Sequence, residues 1–325
     1  EQLIESLRRR GSDVEIRQDP ASPSRIVRIR LINHEAEVRA AASWARKGLE
    51  AAHSSGVSNH RIGIIVPDLS AYRSQIERVF AEQFHPSNRL APEHDAERVF
   101  NISLGLALTK YPLIDAALLI LRTNPHKIPI EDAGRLLRCP FISGAQEEQT
   151  RRGLLDRQLR GLRESEVELG EIMALARAKD EPFTCPKVAM CLARWQDEWS
   201  HLPAVQSASD WASSVSGLLR ALGWPGDRIL NSAEYQTVET WNQLLSELAG
   251  MDRVRGGMTR STALRVLRRM ASARQFQPES EPAPIQILGL YESSGLLFDQ
   301  LWIMGMDDKV WPPSSGPNPF LPVRL

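Results

Sequence analysis

Ile285-Gln286-Ile287-Leu288-Gly289-Leu290-Tyr291-Glu292-Ser293-Ser294-Gly295-Leu296-Leu297-Phe298-Asp299, followed by Leu301-Trp302-Ile303-Met304-Gly305-Met306-Asp307-Asp308, is the stretch that decides the fold. Ile285–Leu288 and Leu301–Met304 are short, continuous apolar runs bounded by glycine and polar residues. That is the mark of strands buried on both faces. Two such strands cannot form a stable domain alone, so they must join a sheet made elsewhere in the chain.

Working outward, the other strand signals lie far upstream. Ile62-Gly63-Ile64-Ile65-Val66 is a buried strand ended by Pro67 and Asp68, and Val99-Phe100-Asn101-Ile102 reads as another. Ile26-Val27-Arg28-Ile29-Arg30-Leu31-Ile32 alternates apolar and basic residues, which predicts a further strand after a short helix and polar connector over 1–25. Helices are predicted from Asn33, as N-cap, to about Ala52, from about Ser70 to Gln83, and from Pro112 through Leu121. From about Ile128 to Gln275 only helical periodicity is found. Candidate helices cover about 130–138, 146–163, 166–178, 186–200, 208–222, 232–250 and 259–272. A Pro/Glu/Ser-rich linker over Gln277–Pro284 leads back to the last two strands.

The economical arrangement is an α/β protein with a mostly parallel sheet, interrupted by a large all-helical insertion. The expected division is 1–25 as helix and connector, 26–127 with 281–325 as one discontinuous α/β domain, and 128–280 as the insertion.

Composition bounds the function. Lys and Arg number 40 and Asp and Glu 40, a formal charge of zero, so any contact with nucleic acid must come from local patches. No apolar run approaches the roughly 20 residues of a membrane span, so no membrane partner is expected. The three cysteines, Cys139, Cys185 and Cys191, are odd in number and irregularly spaced, which fits a reducing cytoplasm better than a disulfide framework. Neither end looks natural, and the chain reads as a piece of a larger protein.

The segment from Ile285 to Asp308, closed by Trp311-Pro312-Pro313, resembles the UvrD/Rep-type superfamily I helicase pattern built on Ala-Lys-Gly-Leu-Glu-Phe-Asp. It is closer still to the AddB-like helicase–nuclease proteins of bacterial double-strand-break repair. Arg61–Asp68 with Tyr72, Ile76 and Phe80 is similar to a strand and helix of that family. Asn101-Ile102-Ser103-Leu104-Gly105, Tyr111-Pro112-Leu113 and Asn318–Pro322 extend the likeness, which covers roughly residues 26–325. The resemblance implies a RecA-like (P-loop-type) 2A domain interrupted by a helical 2B domain, and DNA as substrate, single-stranded or forked. It also implies a helicase or nuclease subunit as a second partner.

Three departures bear on motor function. Pro67 stands where active helicases place an Arg that reaches the nucleotide γ-phosphate. Ser294 replaces the Lys before the motif glycine, and Leu297 replaces the Glu of Gly-Leu-Glu-Phe. A pyrrolidine and an aliphatic side chain cannot stabilise phosphate charge or accept a ribose hydroxyl proton. No Gly-x-x-x-x-Gly-Lys-Ser/Thr loop occurs; Arg255–Thr262 resembles it only faintly, lacking the Lys and following a helix. The expectation is therefore a DNA-binding scaffold that neither hydrolyses ATP nor cuts DNA by itself, with ATP and magnesium relevant only through further domains. Two alternatives stand beside it: the C-terminal half of a working ATP-dependent helicase, and an interaction module that binds a helicase partner.

The expected DNA-contacting residues are Tyr291, Ser293, Ser294 and Gly295, at the sheet edge where the resemblance places single-strand backbone, and Arg260, Arg265, Arg268 and Arg269. Gly289 and Gly295 would permit close backbone approach. The arginines belong to a basic run with Arg253, Arg255 and Arg274; a stripe of Ala263, Leu264, Leu267 and Met270 turns Arg265, Arg268 and Arg269 outward. Arg151, Arg152, Arg157, Arg160 and Arg163 form a second cluster diluted by Glu147, Glu148 and Asp156. Asp299 with Asp307-Asp308-Lys309 invites a metal-nuclease reading but is better explained as a polar turn. Cys185 and Cys191 lack a histidine at zinc-ligand spacing. Trp195 and Trp199, one turn apart, are expected to pack the helical core.

Overall fold

The computed structural model describes residues 26–57, 59–86, 99–253, 256–279 and 283–306. Expectations that fall on 1–25 and on 307–325, including Asp307, Asp308, Lys309, Trp311 and Asn318–Pro322, lie outside these residues.

Helix α1 (His34–Ser54) starts at Asn33, whose side chain accepts from the Ala36 N–H. Strand β1 (Ile62–Ile65) follows, then α2 (Leu69–Phe84), capped by Asp68, then β2 (Phe100–Ile102). Far downstream come β9 (Ile285–Leu288) and β10 (Gln300–Ile303). They complete one four-stranded, all-parallel sheet in the order β10-β1-β9-β2. Strand β9 pairs with β1 at Ile62↔Ile285 and with β2 at Phe100↔Ile285. For β1 and β9 the continuous apolar runs have a reason, since these are the two central strands, covered on both faces; β10 is instead an edge strand with Leu301 47% and Ile303 44% exposed, so its run is not buried on both faces as expected.

One face of the sheet packs against α1 and α2. Val38, Ala41, Ala42, Ala45, Ile76 and Phe80 meet Ile62, Ile64, Ile285 and Ile287 in a single apolar cluster. On the other face Phe298 lies over Gly63, where a Cβ would come within 2.7 Å of the ring. Gly63 is therefore required by close packing, not by its own backbone.

The alternating segment Ile26–Ile32 forms no strand. It is exposed along its length, with Ile26 and Ile32 each 91% accessible. Alternation specifies a strand only when an edge is paired, and no such pairing occurs among the described residues.

Between the two halves of the sheet lies the helical block. A two-residue strand β3 (Leu106–Ala107) and a 3₁₀ turn (Leu108–Lys110) lead into α3 (Pro112–Arg122). Then come β4 (Ile128–Pro129), α4 (Ile130–Leu137), α5 (Gln149–Gly161), β5 (Glu166–Val167), α6 (Leu169–Ala176) and α7 (Pro186–Ser200). Next are β6 (Val205–Gln206), α8 (Ala208–Ala221), α9 (Ser232–Ala249), β7 (Met258–Thr259), α10 (Arg260–Ala273) and β8 (Gln275–Phe276).

The helices agree with the predicted positions. The two-residue pairings β3–β8, β4–β5 and β6–β7 are antiparallel ties too short to leave a periodic signal.

The apolar interior of this block begins earlier than the expected boundary at 128. Leu108, Leu113, Ile114, Ala117 and Ile120 pack with the helices, not with the sheet. Trp195 and Trp211 are buried at its centre, as is Trp241. Trp195 lies 5.6 Å from Trp199, the packing role expected of that pair. The connector after α10 is tied back to the sheet by Gln277, whose side-chain amide donates to the Ile102 carbonyl at 2.8 Å.

Candidate nucleic-acid interface

Ligands of open parallel sheets bind beyond the carboxyl ends of the strands. The loop that leaves β9 at that end contains four of the expected contact residues. Local hydrogen bonds fold it into consecutive turns: Ser293 N–H to the Gly289 carbonyl at 3.2 Å, Ser294 N–H to Tyr291, and Leu296 N–H to Ser293. The Ser293 hydroxyl donates to the Leu290 carbonyl at 2.8 Å, so it serves the turn itself. Tyr291 projects outward at 91% exposure, and Ser294 is exposed beside it. Gly295 has φ of +80° with nothing within 4 Å of a would-be Cβ, so the backbone there is open to a ligand.

Gly289 is different. A Cβ would meet the Glu292 carboxylate at 2.0 Å, so that glycine accommodates an acidic side chain folded back on the loop.

The loop then crosses the sheet to start β10. Phe298 packs on Gly63 with the Arg61 guanidinium 5.5 Å above its ring. Asp299 accepts from the Arg61 N–H at 2.7 Å, with His60 3.7 Å away. This carboxylate aligns the strand start. Among the described residues no group of three or more His, Cys, Asp or Glu is arranged to hold a metal ion.

Leu297, at 75% exposure, and Pro67, two residues past the end of β1, occupy the places where the resemblance would put phosphate- and ribose-binding groups. One cation at this end of the sheet escaped sequence reasoning. Arg73 of α2 donates to the Leu104 carbonyl in the loop after β2, and its Nε is buried without a partner. Its position on an amphipathic helix looks like an ordinary solvent-side arginine, and only the return of the loop over it shows otherwise.

The second set of expected residues lies on α10. Thr259 caps the helix, its hydroxyl accepting from Thr262. Ala263, Val266, Leu267 and Ala271 are buried, a face shifted slightly from the predicted stripe. Arg265, Arg268 and Arg269 are exposed at i, i+3 and i+4, one surface patch. None of the three forms an ion pair among the described residues; Arg265 reaches only the Thr262 hydroxyl at 3.3 Å.

Arg260 does not belong with them. Its guanidinium lies 3.2 Å from the centroid of the Trp199 ring and donates to the Leu121 and Thr123 carbonyls. Those are end-of-helix acceptors of α3, so Arg260 joins α3 to α7. Burial pushes its pKa down to about 10. Arg274 is likewise committed, to Glu247 at 2.6 Å.

Two members of the second arginine cluster are committed in the same way, while Arg151, Arg157 and Arg163 are exposed. Arg152 is 1% exposed and paired with buried Glu148 at 3.3 Å, and Arg160 bonds Asp156 at 3.1 Å. No described hydrogen bond or ring contact joins the α10 patch to the Tyr291 loop.

All three cysteines are free and buried, with burial pushing Cys185 up to about 11. No helix among the described residues is long and apolar enough to cross a membrane. The fold and these two surfaces define a mixed α/β protein with a parallel four-stranded sheet and a large helical block between its strands. In comparison with known proteins, the chain matches no family model and no curated sequence.

Proposed function

We propose that this chain is a DNA-handling, non-motor scaffold: the 2A/2B-like region, on a RecA-like sheet, of an AddB-like protein acting in double-strand-break repair. The observation that carries the reading is the return of β9 between β1 and β2, which sends the Tyr291–Gly295 loop out from the carboxyl end of the sheet. The resemblance assigns single-strand backbone to that loop. Tyr291 supplies a face for base stacking, Ser294 a hydroxyl and Gly295 an open backbone. The unpaired patch Arg265, Arg268 and Arg269 supplies phosphate contacts. Pro67 and Leu297 lack the groups a nucleotide γ-phosphate and ribose would need, so this chain turns over no ATP.

Fluorescence anisotropy with single-stranded and forked DNA over a salt series tests the proposal. Affinity should fall steeply with salt, and reversing the three arginines to glutamate should flatten the slope by about 2 on single strands, at roughly 0.7 per phosphate contact. Tyr291→Ala should weaken binding by about 1–3 kcal/mol with the slope unchanged. Absence of binding at low salt, or binding indifferent to all four substitutions, would remove the assignment.

A further inference from the structure

The helical block carries a second surface feature, an open cleft of about 460 Å³ between α6 and α7. Buried Ala176 and Ala189 form its floor, with Ala193, Thr184 and exposed Pro186 also lining it. At its rim stand Met190, 47% exposed, and the exposed arginines Arg177 and Arg194. A floor of alanines lets an incoming chain approach the helix backbones, and a thioether adapts to whatever apolar group arrives.

The two arginines at the rim are unpaired. Among the described residues neither Arg177 nor Arg194 forms an ion pair, and the Arg194 guanidinium meets only the Met190 sulfur at 3.7 Å. Some of the nearby acids are engaged elsewhere. Asp197 sits 3.7 Å from His201, Glu147 pairs with Lys187 at 2.5 Å, and Glu148 is buried on Arg152. Glu198 faces Gly217 on α8. Asp180 and Glu181, on the loop between the two helices, form no ion pair with either arginine.

We infer that this cleft docks a short acidic peptide segment of a partner protein, one large apolar side chain entering the alanine floor and carboxylates meeting Arg177 and Arg194. Guanidinium forks bind carboxylates in two-point fashion, which fixes the direction of the peptide. The alternative anion, a nucleic-acid strand, fits less well, because no aromatic ring lines the cleft for a base to stack on. The site is independent of the α10 patch, so peptide binding should survive the triple arginine reversal that disables DNA binding.

The test measures anisotropy of two fluorescein-labelled octapeptides with the full chain. One has carboxylates around a central Trp, and the other has lysines in place of the carboxylates. The acidic peptide should bind and the basic one should not. Arg177→Glu with Arg194→Glu should weaken the acidic peptide by about tenfold or more and create affinity for the basic one. Both positions are exposed, and circular dichroism should be unchanged. The inference is overturned by failure of the acidic peptide to bind, or by wild-type affinity in the double variant. Equal affinity for the two peptides, undiminished binding when Ala replaces the central Trp, or displacement by equimolar oligothymidine would overturn it as well.

Discussion

Glu148→Ala should be the most damaging single change in the helical block. Cys185, the residue before α7, offers no side-chain cap, and Pro186 opens the helix. The cap comes instead from 39 residues earlier in the chain. The Glu148 carboxylate, 3% exposed, accepts from the Lys187 N–H at 2.7 Å and the Val188 N–H at 3.0 Å. The same carboxylate neutralises Arg152, whose Nη2 is 3.3 Å away and which is itself 1% exposed. Removing one partner of a buried pair costs about 3–5 kcal/mol, because the other charge is left in a low-dielectric interior. Two helix N–H groups lose their acceptor as well, at about 1 kcal/mol for a lost cap. Water entering the vacated space offsets part of this, leaving a loss of about 4 kcal/mol. With a urea slope of about 2 kcal/mol/M, the unfolding midpoint should fall by about 2 M. Glu148→Gln keeps one acceptor and should lose roughly half as much. Arg152→Met should also cost less, since the carboxylate retains both backbone donors. Urea titrations followed by tryptophan fluorescence measure all three, and the double variant should show coupling of at least about 1 kcal/mol. A Glu148→Ala loss below about 1 kcal/mol, or strict additivity, would refute the claim that this pair is a shared cap.

Other outcomes follow from the same contacts. Gly63→Val should destabilise the sheet by about 1–3 kcal/mol through collision with Phe298, and proteolysis within 289–299 should quicken. Arg260→Met should lower stability while leaving the salt dependence of DNA binding unchanged, since its guanidinium is spent on Trp199 and two carbonyls. The Asp227 carboxyl is held below its usual pKa by the Ser143 hydroxyl and the Gly144 N–H, both at 2.5 Å. A depressed folded-state pKa means its stabilisation is present above about pH 4 and is lost as pH falls through the folded value. Asp227→Asn should therefore flatten the acid limb of the stability profile and leave the neutral region nearly parallel to wild type, as acid titrations by circular dichroism would show.

Much of the fold was legible because its signals are long-range consistent. Continuous apolar runs at Ile62 and Ile285 declared interior strands, and Asn33 and Thr259 announced helix starts that the structure contains. Three things were not legible. The Ile26–Ile32 alternation had the right period, but a period says nothing about whether a partner edge is present. The split between the two apolar interiors falls near Leu108, because α3 is apolar around most of its circumference and its pattern cannot say which core it joins. The arginine clusters also misled: charge in sequence does not distinguish Arg265, which faces solvent, from Arg260, which lies on a tryptophan, or Arg152, which lies inside. Only burial separates these, and burial depends on Trp199, Leu121 and Glu148, residues remote from or out of phase with the run itself.

The central position of β9 has a consequence for how the protein is made. Strands β1 and β2 have no bond to each other; both wait for a segment synthesised more than half the chain later. During translation the helices of the block, built largely from near-neighbour contacts, can consolidate first, while the Ile62–Ile65 run remains a sticky, half-made surface. A nascent chain stalled before Ile285 would thus present a finished bundle attached to an unsealed seam, a natural client for a ribosome-bound chaperone.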